Sequence, residues 1–416
     1  MKADSIAIFH SNDHMPRNGD QGYRFRQNSD LFYLSGLDQA ECVLVLYPGS
    51  PRDGYQEMVF IKRISEHDAM WQGSMYTPET AREISGVEKV HYLDEMEVVL
   101  RPLILAAKRI YLNTNENSRY FSDVPYRDFR MGRELMAQYP LHKYHRAQPI
   151  LRKLRMIKSP YEQGVMQRAI DITARAFERV VRFVEPGVGE YEVEAEIIHE
   201  LLRNRATGFA YDSVIASGAD NCILHYDANN KVCREGELLL LDFGAEYAHY
   251  AADLSRTIPV SGRFTDRQRQ VYDAVLRVQR AAIQLFVPGN TLEEYHQQVG
   301  ELLTAELLDL SLLDRTDVKN QTKEQPAHKR YSYHRTAHHL GLDVHDLHNP
   351  YTFMQAGMVF TCEPGIYLPD EGFGIRLENN ILITDDGPQD LTGHIPIEAE
   401  EIEEMMASRQ LVEEVE

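Results

Sequence analysis

Four carboxylates and one imidazole in the second half of the chain, Asp242, Asp253, Glu363, Glu378 and His338, lie among strongly apolar or glycine-rich neighbours. The segments read LLLLDFGAEYAHYAADLSRT, HRTAHHLGLDVHD, TCEPGIY and GIRLENN. An ionised carboxylate in such surroundings is costly unless something compensates its charge. The set has the composition of a two-metal hydrolytic site: four carboxylates balance two divalent cations. Oxygen-rich donors with one imidazole suit Mn(II), with Co(II) or Zn(II) as substitutes, and disfavour thiolate-seeking metals. Two ions about 3.5 to 4 Å apart would share and acidify a water and polarise a carbonyl.

The placement of these residues follows from local pattern. The run from Asp242 to Asp253 is centred between Tyr247 and Ala248. A hairpin with a two-residue turn there would make the two aspartates cross-strand neighbours, with Cβ atoms about 5 Å apart. Two carboxylates that close repel unless a cation lies between them. The alternative is that Asp253 starts a turn and Asp242 caps one. Glu363 follows the β-rich Met358-Val-Phe-Thr-Cys and precedes Pro364-Gly365, where a strand ends at a cleft. Arg376 and Glu378, two residues apart on a predicted strand, project to one face. A surface ion pair is the alternative, but Ile375, Leu377, Ile381, Leu382 and Ile383 argue for a buried strand. Histidines stand at 334, 338, 339, 345 and 348. Spacing alone leaves open which of them binds metal, because HxxxH without its matching glutamate is a weak motif.

A helix is expected to start at Ser159, with a hydroxyl cap, proline at the first position and Glu162 at the third. Its apolar positions Met166, Ala169, Ile170, Ala174, Phe177, Val180, Val181 and Val184 keep a spacing of mostly three and four until Pro186-Gly187. Further helices are expected over Tyr191 to Arg205, Asp266 to Phe286 and Leu292 to Leu308, and LDRTDVKNQTKEQPAHKR reads as a polar loop. Residues 1–150 alternate β-rich runs, Cys42 to Tyr47 and Met58 to Ile61, with helical stretches from Thr77 to Ile84 and Met96 to Ala107. The reading is an α+β fold: a smaller α/β domain over 1–150, then a catalytic domain over 155–416.

Composition narrows the class. At 416 residues the chain suits two domains, each able to bury its own core. Lys plus Arg total 44 against 64 Asp plus Glu, a formal charge of −20 that repels nucleic acid and anionic membranes. Neither is expected as a partner. The acidic C-terminal run from Glu398 reads as a solvated helix end and fraying terminus. Four dispersed cysteines without a CxxC pair suggest no disulfide framework and fit a reducing cytoplasm. No export signal or spanning segment is recognised.

At the motifs above the chain resembles the metal-dependent Xaa-Pro aminopeptidases (aminopeptidase P), relatives of prolidase, creatinase and methionine aminopeptidase with the pita-bread fold. The likeness covers nearly the whole chain. It rests on Arg26-Gln-Asn-Ser-Asp-Leu-Phe-Tyr-Leu-Ser-Gly, Gly218 and Cys222-Ile-Leu-His-Tyr, Leu241-Asp-Phe-Gly through Ala252-Asp-Leu-Ser-Arg-Thr, His338 to Asp346, Glu363-Pro-Gly and Gly374-Ile-Arg-Leu-Glu. The resemblance implies Asp242, Asp253, His338, Glu363 and Glu378 as ligands of two divalent ions, Mn(II) foremost, with Asp253 and Glu378 touching both. It implies that Glu363 also accepts a proton from the attacking water, that His225 and His345 bind substrate or steady the intermediate, and that His334 lines the cleft. Arg155, Arg376, Tyr367 and Asp30 resemble a supporting hydrogen-bonded shell. Trp71 resembles a position that reaches the active site of a neighbouring subunit in a homo-oligomer, a tetramer or dimer.

The activity so implied is release of the N-terminal residue from peptides with proline second, by attack of hydroxide activated between two metals. Prolidase, restricted to dipeptides, shares the ligands; a non-catalytic binding protein on the same fold would have lost them. The chain departs from the family pattern in starting almost at the strand Ser5-Ile-Ala-Ile-Phe. It also carries Arg335 where relatives often have glycine and His339 where tryptophan is common.

Overall fold

The computed structural model describes residues 1–408 except Ser74, Ser118, Tyr120, Phe121 and Pro350. The chain divides into two compact units, Met1–Arg155 and Met156–Glu416. Residues 409–416, the end of the acidic run, lie outside the described part.

The first unit is built on a six-stranded sheet. Its strands are β1 (Ser5–His10), β2 (Cys42–Leu46), β3 (Glu57–Ile61), β4 (Lys89–Tyr92), β5 (Arg109–Leu112) and β6 (Lys143–Arg146), in the order β4-β3-β2-β1-β5-β6. β1 runs antiparallel to β2 and parallel to β5. Because side chains alternate along a strand, Ile6 and Ile8 share a face with Val43, Val45, Met58, Phe60 and Ile110. That face packs on Leu100, Leu103 and Ile104 of the helix Met96–Ala106.

The second unit opens with the helix Pro160–Phe183. Ser159 caps it as its sequence predicts: its hydroxyl accepts from the Glu162 N–H, and the Glu162 carboxylate accepts from the Ser159 N–H. Met166, Ala169, Ile170, Phe177, Val180 and Val181 form its buried stripe. The next helix is Glu190–Arg203. It ends short of the expected Arg205, which adopts the left-handed conformation (φ 64°) that ends helices. Helices Asp266–Ile283 and Leu292–Asp309 follow, and the polar stretch after them holds a short helix, Arg315–Asn320, and a 3₁₀ turn, Ala327–Arg330. No helix among the described residues is long and apolar enough to cross a membrane.

The strands of this unit form small antiparallel sheets. β7 (Val214–Ser217), β8 (Leu238–Asp242) and β11 (Ser255–Pro259) make one, and the hairpin of β9 (Ala245–Tyr247) and β10 (Tyr250–Ala251) makes a second with the short strand Gly208–Phe209. β12 (Val359–Cys362), β15 (Asn379–Thr384) and β16 (Gly387–Asp390) make another, and β13 (Gly365–Leu368) pairs with β14 (Phe373–Arg376). Nearly every residue of β8, β11, β12 and β14 is buried. Polar side chains at the ends of these strands therefore face protein, and each needs a partner.

Candidate metal centre

The hairpin between the two aspartates exists, but its register corrects the sequence expectation. Its turn is Ala248-His249, both with positive φ (47° and 67°), one residue later than a symmetric turn would place it. Asp242 is therefore opposed by Ser255, and Asp253 is its diagonal neighbour. Tyr211 closes the gap: its hydroxyl lies 2.7 Å from Asp242 Oδ1 and in contact with Asp253 Oδ1. Gly244 allows the strands to approach here, since a Cβ would fall 1.7 Å from the Ala252 carbonyl oxygen. Asn380 holds the Asp253 backbone, accepting from its N–H at 3.2 Å and donating to its carbonyl.

The histidine segment is extended and lies along β12, with no helical turn between His334 and His338. Thr361 N–H donates to His338 O, and Glu363 N–H to Thr336 O. This pairing sets His338 beside Thr361 and, one diagonal on, beside Glu363. Its Nδ1 donates to the His339 carbonyl at 3.0 Å. A backbone carbonyl only accepts, so Nδ1 carries a proton, and in the neutral imidazole the lone pair is on Nε2. Nε2 lies 3.4 Å from Asp253 Oδ2 and 3.6 Å from Glu363 Oε1.

Arg376 and Glu378 meet at one hydroxyl. Ser255 Oγ donates to Glu378 Oε2 at 2.8 Å and accepts from Arg376 Nε at 2.8 Å. The other arms of the guanidinium reach Asp242 Oδ2 at 2.5 Å and the Tyr367 oxygen at 3.0 Å. Tyr367 O–H faces His334 Nε2 at 2.8 Å, and His334 Nδ1 donates to the Arg335 carbonyl at 2.7 Å. Every proton in this chain has a unique place if His334 is neutral. Burial, followed by the Arg376 charge, holds its imidazolium form down to a pKa of about 3.

The donor set fits divalent cations. Asp253, His338 and Glu378 each offer a ligand atom within 4.8 Å of the others. Burial pushes the Asp253 carboxyl up to about 8, with Asp242 adding to it. Burial also raises Glu363, helped by Glu378, and raises Glu378, helped by Asp253. Carboxylates this close stay ionised together only around positive charge. Tyr211 makes the same point, having a single proton to offer two carboxylates. Nothing in TGFAYDSV marks that tyrosine by spacing. Tyr211→Phe is expected to weaken metal binding about 10-fold, within the range of partners that orient metal ligands; unchanged affinity in a chelator competition would remove that role.

His345 packs edge-on to His338, ring centroids 4.5 Å apart. His225 is exposed in the segment after β7, near enough to add to the depression of His334. That segment is held by buried Glu190, whose two oxygens accept from Ser217 N–H and O–H, Tyr226 O–H and Lys231 N–H. Asp30 and Arg155 belong to the first unit and pair with each other at 2.7 Å, both buried. Gln148 and Asn113 complete the coordination of Asp30. Trp71, in the short helix Glu66–Gln72, is 80% exposed, with its indole N–H on His67.

Residues 164–385 match the model of metallopeptidase family M24, and residues 1–111 match the aminopeptidase P N-terminal domain. The chain is 34% identical to the Xaa-Pro aminopeptidase of Escherichia coli, covering 98% of this chain and 95% of the relative. It is 30% identical to human Xaa-Pro aminopeptidase 3, covering 97% and 81%. Among solved structures, Pseudomonas aeruginosa aminopeptidase PepP superposes with a TM-score of 0.88 at 31% identity, over 99% of this chain and 96% of that one. Zinc-substituted Escherichia coli aminopeptidase P in complex with product gives 0.87 at 32% identity, over 98% and 95%.

Proposed function

Since this chain belongs to metallopeptidase family M24, in its aminopeptidase P group, we propose how its own residues carry out the activity. The protein is a metal-dependent exopeptidase of the Xaa-Pro aminopeptidase type, a hydrolase that removes the N-terminal residue from peptides with proline second. The ligands we assign are Asp242, Asp253, His338, Glu363 and Glu378, and the resident ion we assign is Mn(II), on the oxygen-rich donor set. When bound, the ions supply a Lewis acid for the scissile carbonyl and an acidified water.

The protein's part is proton placement and orientation. Glu363 is assigned to accept the proton of the attacking water and pass it to the leaving proline nitrogen. That nitrogen would leave as a strongly basic anion unless it were protonated, so it must gain a proton as the C–N bond breaks. His334 is held neutral, with Nδ1 committed to a carbonyl and Nε2 to Tyr367. It lines the site as a fixed wall and puts no competing cation beside Arg376. His225 and His345 are assigned to the substrate and the developing oxyanion. Asp30 and Arg155 are assigned as supporting residues on their buried ion pair. The observation that carries this reading is the His338 tautomer, fixed by a backbone carbonyl with its lone pair turned to two carboxylates.

We assign a homo-oligomer, a tetramer or dimer, on the exposure of Trp71 and the family resemblance. A cytoplasmic location is proposed on four free cysteines, three of them buried. The test of the activity is hydrolysis of Ala-Pro-Ala, Ala-Pro and Ala-Ala-Ala by metal-stripped protein with and without Mn(II). Cleavage of the proline tripeptide, dependent on added metal, is expected. Cleavage of the dipeptide alone would make the protein a prolidase, and no cleavage with metal bound would make it a binding protein.

A further inference from the structure

The metal centre depends on a carbonyl that serves two donors. His339 O accepts from His338 Nδ1 at 3.0 Å and from the Asp346 N–H at 3.0 Å. Asp346 is the residue after His345, so one hydrogen bond ties the loop presenting His345 to the atom that sets the His338 tautomer. The Asp346 side chain is fixed in turn by Lys158, whose Nζ lies 3.0 Å from Oδ2, and both side chains are 1% exposed.

The packing around the pair is close. A Cβ on Gly341 would fall 2.2 Å from Asp346 Oδ2 and 3.0 Å from Lys158 Cε, so only glycine fits against the pair. The Gly341 carbonyl accepts from Ala251 N–H, two residues before the ligand Asp253. Lys158 is anchored at its own backbone: its N–H donates to Gly357 O, and its carbonyl accepts from Gln163 Nε2. It precedes Ser159, the cap of a 24-residue helix, and is therefore a rigid support.

We infer that Lys158 is a positioning residue for the reaction, holding Asp346 so that His338 presents its lone pair to the metal and His345 stays against it. A buried ion pair need not stabilise a fold more than apolar side chains would. What it does supply is direction, since the ammonium can satisfy Asp346 only while the 341–346 loop keeps its path. The inference rests on the metal and His345 assignments of the proposed function.

Three variants test it: Lys158→Met, Lys158→Arg, and the double variant Lys158→Met with Asp346→Asn, which removes both charges of the pair. The readouts are kcat and KM on Ala-Pro-Ala, the Mn(II) dissociation constant by chelator competition, and melting of the metal-free protein. The expected result is a double variant that melts with the parent, binds Mn(II) about 10- to 100-fold more weakly, and loses kcat by a similar factor at little changed KM. Lys158→Arg, which keeps charge and donor, is expected to exceed Lys158→Met in both affinity and rate. Parent affinity and kcat in the double variant, or equal values for the Met and Arg variants, would overturn the inference. His345→Ala separates the two levels: a parent rate there would cancel the role of His345, while the metal affinity of the Lys158 variants still reads the His338 arm.

Discussion

Glu363→Gln is expected to lower kcat by about 10³, the middle of the range for a positioned general acid and base, while the protein still binds metal. The reason lies in how Glu363 is held. Its backbone N–H is bonded to Thr336 O, and one carboxyl oxygen lies 3.6 Å from His338 Nε2, near Thr361 Oγ. The other lies 3.5 Å from His334 Nδ1. A glutamine keeps the shape and one carbonyl oxygen as a ligand, but it cannot take up a proton and return it to the proline nitrogen. Metal analysis of the purified variant, beside its kcat on Ala-Pro-Ala, separates loss of the ion from loss of proton transfer. A near-parent rate at full metal content would end the role assigned to this residue.

Much of the centre was legible because its residues sit at ends of short apolar strands, where a carboxylate is conspicuous. Asp242 closes β8 and Glu363 follows β12, as the apolar runs around them imply, whereas Glu378 lies not on one strand with Arg376 but in the break between the end of β14 at Arg376 and the start of β15 at Asn379. The turn between the aspartates lies one residue later than the sequence predicts because Ala248 and His249 carry left-handed backbone without the Asn or Gly that usually marks it. That slip changes which side chain faces Asp242: Ser255 takes the place and becomes the hinge between Arg376 and Glu378. The choice among five histidines was closed to spacing for another reason. His338, the ligand we assign, is set beside Glu363 by pairing with β12, more than twenty residues away, and oriented by a carbonyl one residue on. Tyr211 and Lys158 carry no local mark, because each bonds a partner distant in sequence, at 242 and 253 for the tyrosine and at 346 for the lysine. In the first unit, the β-rich runs Cys42 to Tyr47 and Met58 to Ile61 mark two strands of the sheet, while the burial of Asp30 against Arg155 depends on strands and helices over a hundred residues apart.

Stripping the metal should abolish turnover and destabilise the second unit, and the size of the destabilisation should depend on pH in a determined direction. Asp253 moves from an ordinary value of 3.8 to about 8 in the folded, metal-free protein, through burial first and Asp242 second, and Glu363 and Glu378 move the same way. Such groups favour the folded state fully below their unfolded values and lose that contribution as pH rises through the folded ones. The metal-free protein is thus penalised at pH 8 relative to pH 5.5. Bound cations reverse the preference, since they need the carboxylates ionised and compete with protons for them. The rise in melting temperature on adding Mn(II) should therefore be larger at pH 8 than at pH 5.5. At a hundredfold excess over its dissociation constant an ion contributes about 2.7 kcal/mol, or roughly 5 to 10 °C for a unit of this size. Calorimetry of stripped and reloaded protein at the two pH values measures it. A shift equal at both, or larger at pH 5.5, would mean that these carboxylates are already paired without metal, and that the cluster is not built around cations.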